Sequence, residues 1–111
     1  MTASGAVLMS TASLQYLVVP VQVTKAGLPY NPTADVVQFA FLSNIGGTPT
    51  SSQWIAGTWS TTQNLNYPYA AQCLVGTGGG TALTTGTYVI WLKITDNPEI
   101  PVLQAGQIQI V

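Results

Sequence analysis

Charged residues are scarce in this sequence of 111 residues, which has five of them: Lys25, Asp35, Lys93, Asp96 and Glu99. They make up 5% of the chain, against roughly a quarter in an ordinary soluble domain. Histidine and arginine are missing altogether. General acid–base catalysis and nucleic-acid binding both depend on ionisable side chains, so we predict neither an enzyme nor a nucleic-acid-binding protein.

Cysteine occurs once, as Cys73, which excludes an intrachain disulfide. Without a histidine as general base, we expect Cys73 to be a small buried apolar residue rather than a nucleophile. No apolar run approaches the ~20 residues that a membrane-spanning helix needs. The N-terminus lacks the basic segment and long apolar core of a secretory signal. We therefore expect synthesis and folding in a cytoplasm and no membrane partner.

Two loops resemble ligand sites in composition only. The segment 96–99 (DNPE) groups two carboxylates, with Asp35 as the one other acid, whereas Ca²⁺ usually takes six or more oxygen ligands. An Asn-Pro pair also simply builds a tight turn, which we favour here. The glycine-rich segment 76–80 lacks the Gly-Lys-Ser/Thr and the helix of a phosphate loop, and a hairpin connection explains it better. We predict no metal and no cofactor.

Apolar residues recur at every second position along most of the chain, which predicts strands and no persistent helix. The predicted strands are 17–24, 35–42, 53–60, 69–75, 87–95 and about 102–111. In the strand 87–95 the inward positions are expected to be Tyr88, Ile90, Leu92 and Ile94, and the outward ones Val89, Trp91 and Lys93. Six to seven short strands separated by turn signals predict an all-β fold, specifically an antiparallel immunoglobulin-like β-sandwich formed by residues 14–111.

Two residues predict local features of this sandwich. Tyr88 follows a turn at Gly86 and opens a strong penultimate strand, which is the pattern of a tyrosine corner whose hydroxyl bonds to nearby backbone. Pro20 has no N–H to donate within a sheet, so it indicates an edge strand or a bulge.

Aromatic residues are too numerous for one face of a thin core. We predict that some lie at an interface, and the candidates are Trp54, Trp59, Tyr67 and Trp91. Exposed Trp and Tyr side chains are typical anchors of protein–protein contacts. Two alternatives stay open: the rings stack on sugars, or Trp54 and Trp59 merely cap the ends of the sandwich.

Residues 1–13 are small and uncharged and lack turn signals. They fit either a disordered tail or an extended arm that adds a strand to the sheet of a neighbouring subunit. We expect the arm, with Val7, Leu8 and Met9 as further interface candidates.

Several segments together resemble a group of short proteins encoded among the virion structural genes of tailed phages and prophages of actinobacteria. The segments are VQVTKAG (21–27), YNPTADVV (30–37), CLVG (73–76) and GTYVIWLKITDNPEIPV (86–102). The resemblance covers about residues 16–110. It implies a virion component of the capsid decoration type, an accessory protein bound to the capsid exterior.

Composition and resemblance together predict an assembly protein whose partners are the major capsid protein and copies of itself. Homo-oligomers are expected, with a trimer at a local symmetry axis as one arrangement. Two other roles stay open: a tail or baseplate adhesion module that binds host cell-wall glycan, and a head–tail connector or tail component.

Overall fold

Strands dominate the fold of this protein. The computed structural model describes residues 7–43, 46–60, 69–78, 80–96 and 98–111, and no α-helix occurs among them. Accordingly, no helix in these ranges is long and apolar enough to cross a membrane. The strands are β1 (Val7–Met9), β2 (Leu14–Val21), β3 (Val23–Lys25), β4 (Leu28–Tyr30), β5 (Val36–Leu42), β6 (Ile55–Ala56), β7 (Thr58–Trp59), β8 (Tyr69–Gly76), β9 (Gly86–Thr95) and β10 (Val102–Ile110). The prediction of an all-β fold is confirmed.

The strands form two main sheets and one hairpin. The larger sheet has the order β1-β10-β9-β5-β6, the smaller sheet has the order β2-β8-β7, and β3 pairs with β4. Every pair is antiparallel except β1 with β10, which is parallel. The predicted antiparallel sheets are therefore present, with one parallel strand added at an edge.

The core lies between the two main sheets. Alternate residues of β2 and β8 meet alternate residues of β5, β9 and β10, as the period of two requires. The largest fully buried side chains in this core are Phe39, Leu92, Ile108, Val37 and Val75. Ile90, Leu92 and Ile94 lie in this core, and Tyr88 packs against it half-buried, so the predicted inward face of β9 is correct.

Six to seven strands were expected, whereas the described residues contain ten strand segments, five of which have seven or more residues. Part of the difference is that the predicted strand 53–60 divides at Gly57. There the chain leaves β5 of the larger sheet and joins β8 of the smaller one. The Gly57 N–H donates to the Val37 carbonyl at 2.9 Å, and a Cβ on Gly57 would lie 2.7 Å from the Phe39 ring. Glycine is required because the crossing backbone touches the core.

Pro20 lies on an edge strand, which is one of the two alternatives that its missing N–H predicted. Its partner across the ladder is Ala70, whose carbonyl accepts a hydrogen bond from the Ser60 N–H on the far side of β8. A residue's N–H and C=O point to the same side of a strand, so Pro20 and Ala70 form a pair without mutual hydrogen bonds. The proline nitrogen therefore faces the open edge of β2, where no donor is needed.

The tyrosine-corner hydrogen bond is also present. Tyr88 Oη donates to the carbonyl oxygen of Thr84 at 2.9 Å and lies 2.9 Å from Thr84 Oγ1. Gly86, at the turn between them, has φ +152°, a value that favours glycine. The bond ties the start of β9 to the loop before it.

The N-terminal segment packs on its own domain, which differs from the expectation of an arm on a neighbouring subunit. Val7–Met9 forms β1, with Val7 opposite Ile108 and Met9 opposite Ile110. Met9 is buried in the main core. The N–H of Val111 donates to the Met9 carbonyl at 2.9 Å. The expected boundary between residues 13 and 14 therefore does not separate 7–13 from the sandwich, and residues 1–6 lie outside the described residues.

Candidate interaction surface

Trp91 was expected to be an exposed anchor, and this expectation is wrong. Its side chain does lie on the outward face of β9, but only 9% of it is exposed. It belongs to a second small core on that face, together with Val89, Ala40 and Leu42. The side of β9 on which Trp91 lies was predicted correctly, but other residues cover that side of the sheet.

Trp54 closes this second core from the loop that precedes β6. It is half-buried against the cluster, and Lys93 Nζ lies 4.6 Å from the centre of its ring, within the range of a cation–π contact. The turn before Trp54 is held by the Thr50 N–H, which donates to Gln53 Oε1 at 2.8 Å. Much of the Trp54 ring therefore contacts its own sheet and is not available to a partner.

Trp59 also has a structural place. It is half-buried, packs against the main core and donates from Nε1 to the carbonyl oxygen of Asp35 at 2.9 Å. Met9 is buried as described above, so neither residue offers the exposed anchor that was expected. Tyr67 lies outside the described residues, and for Val7 and Leu8 the backbone pairing of β1 is what the structure describes.

Exposed apolar side chains occur at other places among the described residues, on β4, on β5 and in or beside β10, and β2 has three of them along one face. Leu14, Tyr16 and Val18 alternate along its outer face and are 47%, 54% and 48% exposed. Tyr16 stands opposite Leu74 of β8, which continues the apolar surface onto the neighbouring strand. We call Leu14, Tyr16 and Val18 the β2 stripe. Sequence reasoning missed it because the predicted strand began at residue 17, although the alternation of apolar residues extends back to Leu14.

The residues of the β2 stripe also carry the free backbone groups of the smaller sheet. In the register of the ladder, Tyr16 faces Leu74, whose carbonyl accepts from the Thr81 N–H, and Leu14 faces Gly76, whose N–H donates to the Thr81 carbonyl. Both partners thus point away from β2, so the stripe residues point their own N–H and C=O groups away from β8. Among the described residues, β2 is therefore an edge strand, and the same residues carry exposed apolar side chains and backbone groups that pair with no other strand.

A groove opens beside the end of β2, where the two main sheets separate. Its volume is about 460 Å³, and it lies between residues 19–24 on one side and 101–106 on the other. Leu103 lines it and is 43% exposed, although it stands opposite Leu92, a residue of the main core. The groove extends the uncharged apolar surface from the edge of one sheet to the other.

Four of the five charged side chains meet around one small hollow: Lys25, Asp35, Asp96 and Glu99. Lys25 Nζ lies 2.9 Å from Asp96 Oδ2, and this hydrogen bond raises the pKa of Lys25. Tyr30 Oη donates to Asp35 Oδ1 at 3.4 Å, and burial of the phenol raises its pKa.

Asp35 Oδ2 is buried and has no hydrogen-bond partner among the described residues. The hollow gathers the three carboxylates considered for calcium. The described part of the chain nevertheless contains no group of three or more acidic, histidine or cysteine side chains arranged to hold a metal ion.

Cys73 is buried in the main core, as predicted. Burial raises the pKa of its thiol, so the thiol stays protonated near neutral pH. Cys73 therefore packs as an apolar core residue.

Comparison with known proteins adds no assignment: no protein-family model, curated protein or solved structure matches this chain.

Proposed function

We propose that this protein is a phage virion structural protein, a capsid decoration protein that binds the exterior of the assembled shell and stabilises it. Its partners in this proposal are the major capsid protein and copies of itself, with a trimer as one arrangement. The observation that supports it most is the β2 stripe, an uncharged apolar surface on a strand whose outer edge pairs with none of the described strands. Exposed apolar surface joined to an open sheet edge favours protein contact.

Charge scarcity supports the same role. No charged residue lies between Leu14 and Thr24, which includes all of β2 and one side of the groove. Packing such a surface against another protein requires little desolvation of ions and meets little repulsion between neighbouring copies.

The immunoglobulin-like form of the sandwich is part of this proposal. It is supported by the hydrogen bond from Tyr88 to Thr84 at the start of the penultimate strand and by two sheets that share one core. A sandwich of this kind presents edges and loops while its core keeps its shape.

Stabilisation follows from binding to one state of the shell. A protein that binds assembled capsid subunits and not free ones shifts the equilibrium towards the assembled state by mass action. Repetition of a weak contact over a lattice gives a large total effect, because bound copies that touch each other reinforce attachment.

The test is the number of copies in purified virions, measured by quantitative mass spectrometry against the major capsid protein. A decoration protein is expected in hundreds of copies, whereas a connector or tail ring holds about six or twelve. A ring-like number, or absence from purified particles, would contradict the proposal. Binding to isolated cell-wall fragments, followed by tryptophan fluorescence, would instead favour the adhesion module.

Attachment can be assigned to a surface with shells that lack the protein. Tyr16→Lys places a charge in the β2 stripe, and we expect it to reduce the bound fraction. Leu28→Lys is the matched control, since Leu28 is 68% exposed on β4, away from the stripe. Equal loss in both variants would show that general surface charge, and not the stripe, controls attachment.

A further inference from the structure

The β2 stripe and its free backbone form a surface that is complementary to itself. We propose that two copies of the chain pair through β2 in antiparallel register across a two-fold axis at Tyr16, which joins their smaller sheets into one six-stranded sheet. This inference deepens the self-association named in the proposed function, but it is drawn from β2 alone and is tested on the isolated chain.

The orientation of the backbone restricts the possible registers to those in which outward-pointing residues of the two copies face each other. Leu14, Tyr16 and Val18 direct N–H and C=O to the open edge, as their partners on β8 show. Residues that face each other across a new antiparallel pair exchange two hydrogen bonds when both point into the pair. With Tyr16 opposite Tyr16 of the second copy, Leu14 stands opposite Val18 and Val18 opposite Leu14. All three outward N–H groups of each copy then find a carbonyl.

Pro20 leaves a gap in the ladder of the next register. Shifting the centre to Leu17 sets Tyr16 opposite Val18 and Leu14 opposite Pro20. The Leu14 N–H would still find the Pro20 carbonyl, but Pro20 has no N–H for the Leu14 carbonyl, so one bond is lost at each end of the pair. The register centred on Tyr16 makes the same number of hydrogen bonds, two at each of its three facing pairs, but leaves no gap inside the ladder, because Pro20 stands opposite residue 12, outside β2.

The uncharged side chains of the β2 stripe favour contact with the same uncharged strand of a second copy over contact with a charged surface. A two-fold axis perpendicular to the sheet keeps both stripes on the same outer face, where the two Tyr16 rings lie side by side and are flanked by Leu14 and Val18. Natural edge strands commonly avoid such pairing with lysine or other charges, and β2 has none. Like charges opposed across the axis, which would prevent self-pairing, are absent from this strand.

Sedimentation equilibrium of the full chain tests the association. We expect a concentration-dependent monomer–dimer equilibrium that changes little with salt, since the paired strands are uncharged. Tyr16→Lys opposes two ammonium groups at the axis and is expected to weaken dimerisation by about 10-fold or more, while Leu28→Lys dimerises like the unchanged chain. A monomer at every concentration, a trimer, or equal dimerisation by Tyr16→Lys would overturn the proposal.

Cysteine cross-linking tests the register. Hydrogen-bonded antiparallel pairs have Cα atoms about 5.5 Å apart, within the range of a disulfide. Tyr16→Cys should therefore form a covalent dimer under mild oxidation. In Val18→Cys the two thiols are offset by four residues, on the order of 13 Å, and should not link. The unchanged chain controls for Cys73, which is buried. Equal linking in both variants, or faster linking at position 18, would overturn the register.

The two proposals fail separately. A dimer that is absent from virions contradicts the decoration role and leaves the β2 pairing standing. A monomer found in hundreds of copies on the capsid contradicts the pairing and leaves the decoration role standing.

Discussion

At the scale of single residues, Trp91 shows how an outward position becomes part of a core. Its neighbours on the outer face of the larger sheet, Ala40, Leu42 and Val89, are all buried with it, and Trp54 packs over the cluster. The Trp91 Nε1 atom has no hydrogen-bond partner among the described residues. An unpaired buried N–H offsets part of the stabilisation that the ring provides.

Trp91→Ala is therefore expected to lower the free energy of unfolding by about 3 kcal/mol or more, because it removes a large buried ring. Trp91→Phe should cost less than about 1.5 kcal/mol, since it keeps an aromatic ring and removes the unpaired N–H. Urea unfolding of both variants measures the difference. A loss below about 0.5 kcal/mol for the alanine variant, the size typical of surface positions, would show that Trp91 is exposed.

Gly76 is a second residue whose role depends on close approach. A Cβ at this position would lie 2.0 Å from the Ser13 carbonyl oxygen and 2.8 Å from Leu14 Cα, and φ is +132°. Both neighbours are backbone atoms at the start of β2, which cannot move aside as a flexible side chain does.

We expect Gly76→Ala to cost several kcal/mol or to prevent folding. Gly78→Ala is the matched control: Gly78 also has positive φ, +90°, but a Cβ there meets nothing within 4 Å. The control should cost about 1 kcal/mol from backbone strain alone. Denaturation midpoints of the two variants separate the steric effect from the strain, and equal midpoints would contradict the close approach of β2 to Gly76.

At the scale of the elements, β1 is the clearest difference between expectation and structure. The composition of residues 1–13 favours an extended segment, and Val7–Met9 is extended. Composition does not predict which strand this segment pairs with, and in the structure it pairs with β10 of the same chain.

Removing β1 should therefore destabilise the isolated domain rather than leave it folded. Met9→Ala is expected to cost about 2–3 kcal/mol, because Met9 is buried in the main core. Val111→Ala, at an exposed position of the same sheet edge, should change stability by less than about 0.5 kcal/mol. Thermal unfolding provides the comparison. An unchanged melting temperature in Met9→Ala would restore the expectation of a free arm.

At the scale of the whole molecule, the few titratable groups predict a simple dependence of stability on pH. Burial raises the pKa of Cys73 and of Tyr30, and the hydrogen bond to Asp96 raises the pKa of Lys25. All three groups therefore hold their protons more tightly in the folded chain than in the unfolded chain. Where the unfolded state binds fewer protons, stability falls as pH rises.

We expect the stability that these groups contribute to be present at neutral pH and to fall above about pH 8, where unfolded cysteine begins to ionise. Urea midpoints between pH 7 and 11 measure this fall. In Cys73→Ala the first part of the decline should be smaller, although the variant is less stable throughout. A urea midpoint that rises between pH 8 and pH 11 would contradict the assigned directions.

The sequence by itself predicted the five long strands, the inward face of β9, an edge strand or a bulge at Pro20, and the hydrogen bond of Tyr88. These features depend on period, on a missing N–H and on a contact four residues away, all of which are local. Only the tertiary structure decided that Trp91 is covered, that Met9 packs on its own chain, and that Leu14, Tyr16 and Val18 remain exposed. The physical reason is that alternation assigns each side chain to a face of its sheet, whereas the covering of that face depends on chain segments that are distant in sequence.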